Sequence, residues 1–506
     1  MKSLVSKFAN QITKLCKFSL VIFIFYPQFS YALVNKQAIL YLNAENTINA
    51  APVESTVSVG DIWRKYRALE ERWIGAKNVA SNHQTIASSP YFAKTNIFNE
   101  SANTGNESVK YFRLLYTTNY KNKLHNVSGL VLLPPTKTPK GVILFFHSTM
   151  NSKLRVPSMK FDEYKTQMLA AIFAANGYVV VAPDYIGLGN DYKSEHPYII
   201  YPRPNVDDGR DMLLASQELL HKNGISFTDN KIPLFVSGYS EGGSYALWFS
   251  RIYQQDNQFS QSLTQHGFYL KKTVPIEGAY DVSGVMMPFL LSNQINEKDN
   301  QFNINTTLWG SLLKPSLMVN AVLGYADYNN LNAKNLINPN LYSLKCINGL
   351  PFCSDINADY SIDSVRLLDA NQLKMSLNYY FQAFGLSAND SKYNLFNNSI
   401  RSLINPDLLS ESSFITDVKQ ADIINWKSSN PITLISLKQD SLVPEANSTN
   451  AYSGMIKAGS TNLKYIQLPN QMLKARTLWG ASIVDHVSFE LYALLIALNE
   501  FNEETR

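Results

Sequence analysis

The 506-residue sequence predicts an α/β protein. Its expected architecture is a mostly parallel central sheet with helices on both faces and an inserted helical lid. Three observations carry this. Short, fully apolar runs alternate with longer helix-like stretches, the pattern of strands buried on both faces by crossover helices. One such run, Ile232 to Ser237, leads into Gly238-Tyr239-Ser240-Glu241-Gly242-Gly243 and then a helix-like stretch, Ser244 to Tyr253. Finally, about 150 residues separate two late strand-like runs, Thr273 to Ile276 and Ile432 to Leu437, far more than a crossover needs.

The elements follow in chain order. Lys2, Lys7, Lys14 and Lys17 precede the apolar run Phe18 to Tyr26, and Ser30-Tyr31-Ala32 offers small residues for cleavage. Residues 1–32 thus have the form of a secretory signal peptide, with the run too short for a comfortable membrane span. Residues 33–108 are an N-terminal leader with a helix expected near Val59 to Leu69. Val109 to Thr117 and Val127 to Leu133 read as antiparallel strands that open a core over 109–284. Strand Gly141 to His147, helix Tyr164 to Ala175, strand Tyr178 to Ala182, helix Asp207 to Lys222 and the strand before Ser240 continue it. The insertion spans 285–428, with helices expected at Val285 to Leu291, Leu308 to Leu323 and Ala370 to Phe384. The core resumes over 429–506 and closes with the apolar helix Phe489 to Phe501.

Composition limits the functions. The chain is 45% hydrophobic and 17% charged, enough for a large core and too apolar for disorder. Net charge is +5 without a long basic run, so nucleic acid is not implied as a partner. Once residues 1–32 are removed, Cys346 and Cys353 remain, separated by a segment with Asn348-Gly349 and Pro351 that can turn. In an oxidising compartment they are expected to form a disulfide.

The chemistry centres on Ser240. A strand that turns sharply into a helix leaves a hydroxyl exposed at its tip, and glycines two before and two after relieve the crowding there. The following helix adds N–H groups and a positive dipole end beside it. A serine needs a base and an orienting acid, here in the chain order serine, acid, histidine. Of the seven histidines only His266 and His486 lie downstream. His266 reads as a surface loop residue, whereas His486 just precedes the closing helix and is the expected base. Asp440, on the loop after strand Ile432 to Leu437, is the expected acid; Glu277 and Asp281, after the preceding strand, are its rivals. The oxyanion hole is expected from the backbone N–H of Glu241 and from that of Thr149 or Ser148, with His147 shaping the latter loop.

These features resemble the α/β-hydrolase superfamily, and within it the secretory-lipase-like esterases. Besides the Ser240 turn, the likeness rests on Ala182-Pro183-Asp184-Tyr185-Ile186-Gly187-Leu188-Gly189, His196-Pro197-Tyr198 and Asp207 to Ala215. His147-Ser148-Thr149-Met150 with Val156-Pro157-Ser158 resembles a His-Gly-Thr-Thr loop, with Ser148 in place of the usual glycine. The resemblance implies the α/β-hydrolase fold and a serine carboxylester hydrolase with no metal and no cofactor. Its partner would be a small-molecule or lipid ester, with room for transient contact with a lipid interface. Asp184, Tyr185 and His196 are read as loop packing beneath the site rather than as catalytic residues. A serine peptidase, an acyltransferase and a non-catalytic binding protein on the same fold are the competing readings. Location would be secreted or periplasmic, with cleavage near Ala32; oligomeric state is left open.

Overall fold

Apolar strands buried on both faces must serve two cores at once, and the sheet does so by strict alternation. In β4 (Val142–Phe146), Ile143 and Phe145 belong to one apolar cluster while Val142, Leu144 and Phe146 belong to the other. In β5 (Val179–Pro183), Val180 and Ala182 face the first side and Val179 and Val181 the second. The computed structural model describes residues 53–95, 107–150, 153–154, 156–159, 161, 164–291, 317–318, 320–336, 406–440, 442–475 and 486–505. The expected signal peptide, the helix at Ala370 to Phe384 and the cysteines Cys346 and Cys353 lie outside the described residues.

The other strands are β1 (Val53–Ser58), β2 (Ser108–Tyr120), β3 (Lys123–Leu133), β6 (Ile232–Tyr239), β7 (Phe268–Ile276), β8 (Ile432–Leu437) and β9 (Leu463–Leu468). They form one sheet in the order β1-β2-β3-β5-β4-β6-β7-β8-β9. β2 and β3 pair as a hairpin, and β3 pairs antiparallel with β5. From β5 to β9 every pairing is parallel. The hairpin runs longer than its apolar pattern suggested, because the two-residue turn Lys121-Asn122 takes positive φ at both positions, 52° and 60°. That turn twist matches the strands.

One face is covered by α1 (Val59–Ile74), α2 (Ala76–Ser88), α3 (Tyr164–Ile172) and the closing helix α10 (His486–Glu503). The other carries α4 (Pro202–Lys222), α5 (Glu241–Gln255) and α6 (Asn257–Thr264). Ser58 caps α1 by accepting from the Asp61 N–H. The segment expected as a leader packs into the first face. Tyr66 donates to the Leu491 carbonyl at 2.7 Å, and Asn82 exchanges hydrogen bonds with the Lys474 backbone. On α10, Phe501 is fully buried among Phe173, Tyr178 and Phe235.

A third apolar cluster lies beyond the carboxyl ends of the strands. The insertion contributes α7 (Met287–Leu291), a helical stretch over 320–328 and α8 (Ser412–Gln420). Their Leu290, Met318, Val322 and Phe414 pack with Tyr198, Ala279, Leu442 and Val443 of the core loops. Two of the insertion's helices differ from the sequence expectation. Val282–Met286 is a single π-type turn before α7, and the second insertion helix continues past Leu323 to residue 328. After β8, α9 (Ala446–Lys457) leads to β9, the last strand of the sheet.

Candidate active site

Four parallel strands, β4, β6, β7 and β8, end side by side, and each is followed at once by a polar residue: His147, Ser240, Glu277 and, after a short turn, Asp440. In an open α/β sheet this carboxyl edge is where chemistry collects. Ser240 stands between β6 and α5 with φ 57° and ψ −118°, a backbone state that a residue with a Cβ adopts only under constraint. Its N–H donates to the Ile276 carbonyl at 2.9 Å, which ties the turn to the end of β7. The closeness of the turn admits no side chain beside it. A Cβ on Gly242 would lie 1.9 Å from the Phe146 oxygen, and one on Gly238 would lie 2.1 Å from the Gly242 oxygen.

The start of α10 and the loop after β8 bring His486 and Asp440 together. The His486 Nδ1 donates to Asp440 Oδ2 at 2.6 Å, and both residues are buried. Asp440 Oδ1 accepts from the N–H groups of Leu442 and Val443, each at 2.7 Å, so the loop after β8 fixes the carboxylate. Tyr239, the residue before Ser240, donates its hydroxyl to the His486 carbonyl at 2.6 Å. One tyrosine thereby couples the serine turn to the histidine. His486 is itself the first residue of α10 rather than a residue on the preceding loop, as the apolar pattern alone suggested.

The rival acids have different positions. Asp281 accepts from the Gly284 N–H at 2.8 Å and from Asn450 Nδ2 at 2.6 Å, so it caps the π-type turn. Glu277 lies beside Asp440. Oxygen and nitrogen atoms of Glu277, Asp440 and His486 all fall within 4.8 Å of one another, the group among the described residues closest to metal-ligand spacing. The Asp440–His486 hydrogen bond and the two backbone donors already engage both Asp440 oxygens and the His486 Nδ1.

The loop after β4 is held from below. The buried His147 donates from Nδ1 to the Ser148 carbonyl at 2.8 Å, and burial lowers its imidazole to a pKa of about 4. Tyr185 donates to the His147 carbonyl at 2.7 Å. Lys165 Nζ, on α3, donates to Ser148 Oγ and to Glu490 of α10, the latter at 3.0 Å. Thr149 Oγ1 lies 3.1 Å from the Tyr198 hydroxyl. The Glu241 N–H heads α5, where first-turn N–H groups have no intrahelical acceptor. The Glu241 carboxylate turns away into the core. There it accepts from His196 Nε2 at 2.6 Å and Tyr245 at 2.8 Å. Burial pushes Glu241 up, but the adjacent His196 and His147 and these hydrogen bonds hold it below the ordinary glutamate value. His196 and Asp184 are buried supports: Asp184 accepts from Ser128 at 2.7 Å, and burial raises it to about 6.

Sequence reasoning missed the Lys165–Glu490 pair and the Glu241–His196 pair. A signal for the first was present, since Glu490 stands alone in the apolar run Phe489 to Leu498. Such a charge, if buried, must be paired.

No protein-family model matches the chain, and no curated protein sequence matches it. Solved structures do. The rice cell wall degrading esterase LipA from Xanthomonas oryzae aligns over 81% of this chain and 95% of its own at 17% identity, with a TM-score of 0.56. A structure from Legionella pneumophila aligns over 84% and 95% at 16% identity, with a TM-score of 0.55. With a mostly parallel sheet, a strained serine turn at its carboxyl edge and these neighbours, the chain has the α/β-hydrolase fold.

Proposed function

We propose that the protein is a serine hydrolase of carboxylic esters, an esterase or lipase, with Ser240, His486 and Asp440 as nucleophile, base and orienting acid. The observation that carries this reading is the 2.6 Å Asp440–His486 hydrogen bond next to Tyr239, one residue from the strained Ser240. Asp440 holds the Nδ1 proton, which leaves Nε2 as the basic nitrogen. Ser240 Oγ attacks the ester carbonyl carbon while its proton passes to His486 Nε2. The carbonyl oxygen becomes an oxyanion that accepts from the Glu241 N–H and from the N–H of Thr149 or Ser148. Collapse breaks the carbon–oxygen bond, and the alcohol leaves with the proton from His486. Water then attacks the acyl-enzyme by the same route in reverse and releases the acid. The Lys165–Glu490 pair and His147 fix the Ser148–Thr149 loop, so its donors need no reorganisation when charge develops.

The described part of the insertion packs its Met318, Val322 and Phe414 against loops that flank Asp440 and Thr149. An acyl chain bound over this edge would meet apolar side chains, in keeping with a small-molecule or lipid ester as substrate. The similarity in fold to an esterase supports the same class. Export through residues 1–32, with cleavage near Ala32, and a Cys346–Cys353 bridge complete the proposal. A panel of nitrophenyl esters of graded chain length, set against aminoacyl-amide substrates, tests it. Turnover of esters with none of amides is expected; amide turnover would support a peptidase, and no turnover of either would favour a binding protein.

A further inference from the structure

Both strand-end positions that could supply the acid are occupied, and their side chains converge on one spot. Asp440 has its oxygens engaged by His486 and by two backbone N–H groups. Glu277 is buried and accepts from the Leu437 N–H through Oε1. Its Oε2 is buried with no hydrogen-bond donor facing it, and a Glu277 carboxylate oxygen lies within 4.8 Å of Asp440 and His486. Two ionised carboxylates in such a place would repel at short range in a low dielectric. A buried oxygen without a donor is satisfied at once if it carries a proton and donates it.

We propose that Glu277 is a positioning residue of the triad: a neutral carboxylic acid whose proton is donated to the Asp440 carboxylate. The pair then carries one negative charge, balanced when His486 becomes imidazolium. The donated hydrogen bond holds Asp440 against rotation and stabilises its charge, which moderates the pull of Asp440 on the His486 proton. The electrostatic surroundings agree. Burial first, then the Asp440 charge, push the Glu277 carboxyl well above the ordinary value, with Glu445 adding to the effect. The other titratable groups facing it, Tyr280 and Tyr465, are themselves raised by burial and so bring no charge. Glu277 acts through Asp440.

The inference rests on the triad assignment, so one arm of its test needs no substrate. An unfolded glutamate loses its proton near pH 4.5, whereas the folded Glu277 keeps it. The folded state therefore binds the extra proton, and this group's contribution to stability falls as pH rises above that value until the folded acid ionises. Chemical denaturation of the full chain and of Glu277→Gln at successive pH values reads this. The unfolding constant of the unmodified protein, relative to the variant, is expected to grow by about tenfold per pH unit above pH ~5. A ratio that stays flat would mean an ionised Glu277 and would overturn the proposal.

The second arm reads ester turnover. Glu277→Gln keeps a neutral donor beside Asp440, so its kcat and the acid limb of its pH profile should stay close to those of the unmodified enzyme. Glu277→Leu removes the donor, and kcat is expected to fall about tenfold with KM little changed. Its acid limb should move to higher pH, because an unsupported Asp440 holds the imidazolium more tightly. An acid limb moved to lower pH in the glutamine variant, or equal losses in both variants, would contradict the donated proton. Loss of the triad reading would appear instead as full activity in Ser240→Ala, and the denaturation arm would stand regardless.

Discussion

Ser240 sits at the tip of the turn with a backbone at φ 57°, and the two glycines around it are needed because the Phe146 carbonyl and the turn itself leave no room for a Cβ. Gly242→Ala should therefore destabilise the protein by about 1–3 kcal/mol or more, since backbone rather than a flexible side chain must move. A thermal melt beside that of a surface alanine variant checks this. Ser240→Ala and His486→Ala should each remove nearly all ester turnover, and the double variant should lose little more, because the groups work as one unit. Multiplicative losses in kcat/KM would argue for independent roles. Asp440→Asn leaves the imidazole in the wrong tautomer and is expected to cost about 10⁴ in kcat. Chain order and strand ends alone nominate these three residues, and the structure puts Asp440 and His486 in hydrogen-bonding contact. Glu277 was legible only as a rival to Asp440. That the two would face each other depends on the spacing of β7 and β8, and one-dimensional reasoning gives no such distance.

The buried Lys165–Glu490 pair joins α3 to α10 and, through Ser148, to the loop after β4. Both side chains are 3% exposed, so removing either partner strands a charge in the core. Lys165→Met is expected to destabilise by about 3–5 kcal/mol, and the double variant Lys165→Met, Glu490→Leu to recover most of that stability. Ester turnover by the double variant should remain depressed through the loosened loop, so denaturation and rate measured on the same samples separate the two effects. At this level the sequence was informative about type and order. Apolar runs marked β4 to β8; the strand before Ser240 was placed at its first residue, Ile232, but runs to Tyr239 rather than Ser237, and β7 begins at Phe268 rather than Thr273. Ends were less legible: α4 begins at Pro202, whereas the expectation began at Asp207, since proline suits a helix's first turn. β9 was missed because its buried face comes only from alternate positions, Ile466 and Leu468, in a polar sequence.

Among the described residues, two large apolar clusters cover the faces of the sheet, a smaller one packs around β8 and α9, and another lies over the carboxyl edge that carries Ser240, Glu277 and Asp440. The position of an insertion between β7 and β8 was readable from chain length alone. Its contact with Tyr198, Leu442 and Val443 was not, because those partners come from distant loops. If acyl chains lie between insertion and core, each buried CH₂ adds up to ~0.8 kcal/mol of binding. The ratio kcat/KM should then climb with acyl length and fall once the space is full. Met318→Ala and Val322→Ala should move that optimum while leaving acetyl esters nearly untouched, whereas equal losses at all chain lengths would make the insertion purely structural. The most direct test of the central assignment is covalent. The full chain is treated with a nitrophenyl alkylphosphonate, which phosphonylates an activated serine, and its peptides are mapped by mass spectrometry. The triad predicts a single adduct on Ser240, with its rate of formation collapsing in His486→Ala; an adduct on another residue, or labelling of Ser240 at an unchanged rate without His486, would contradict it.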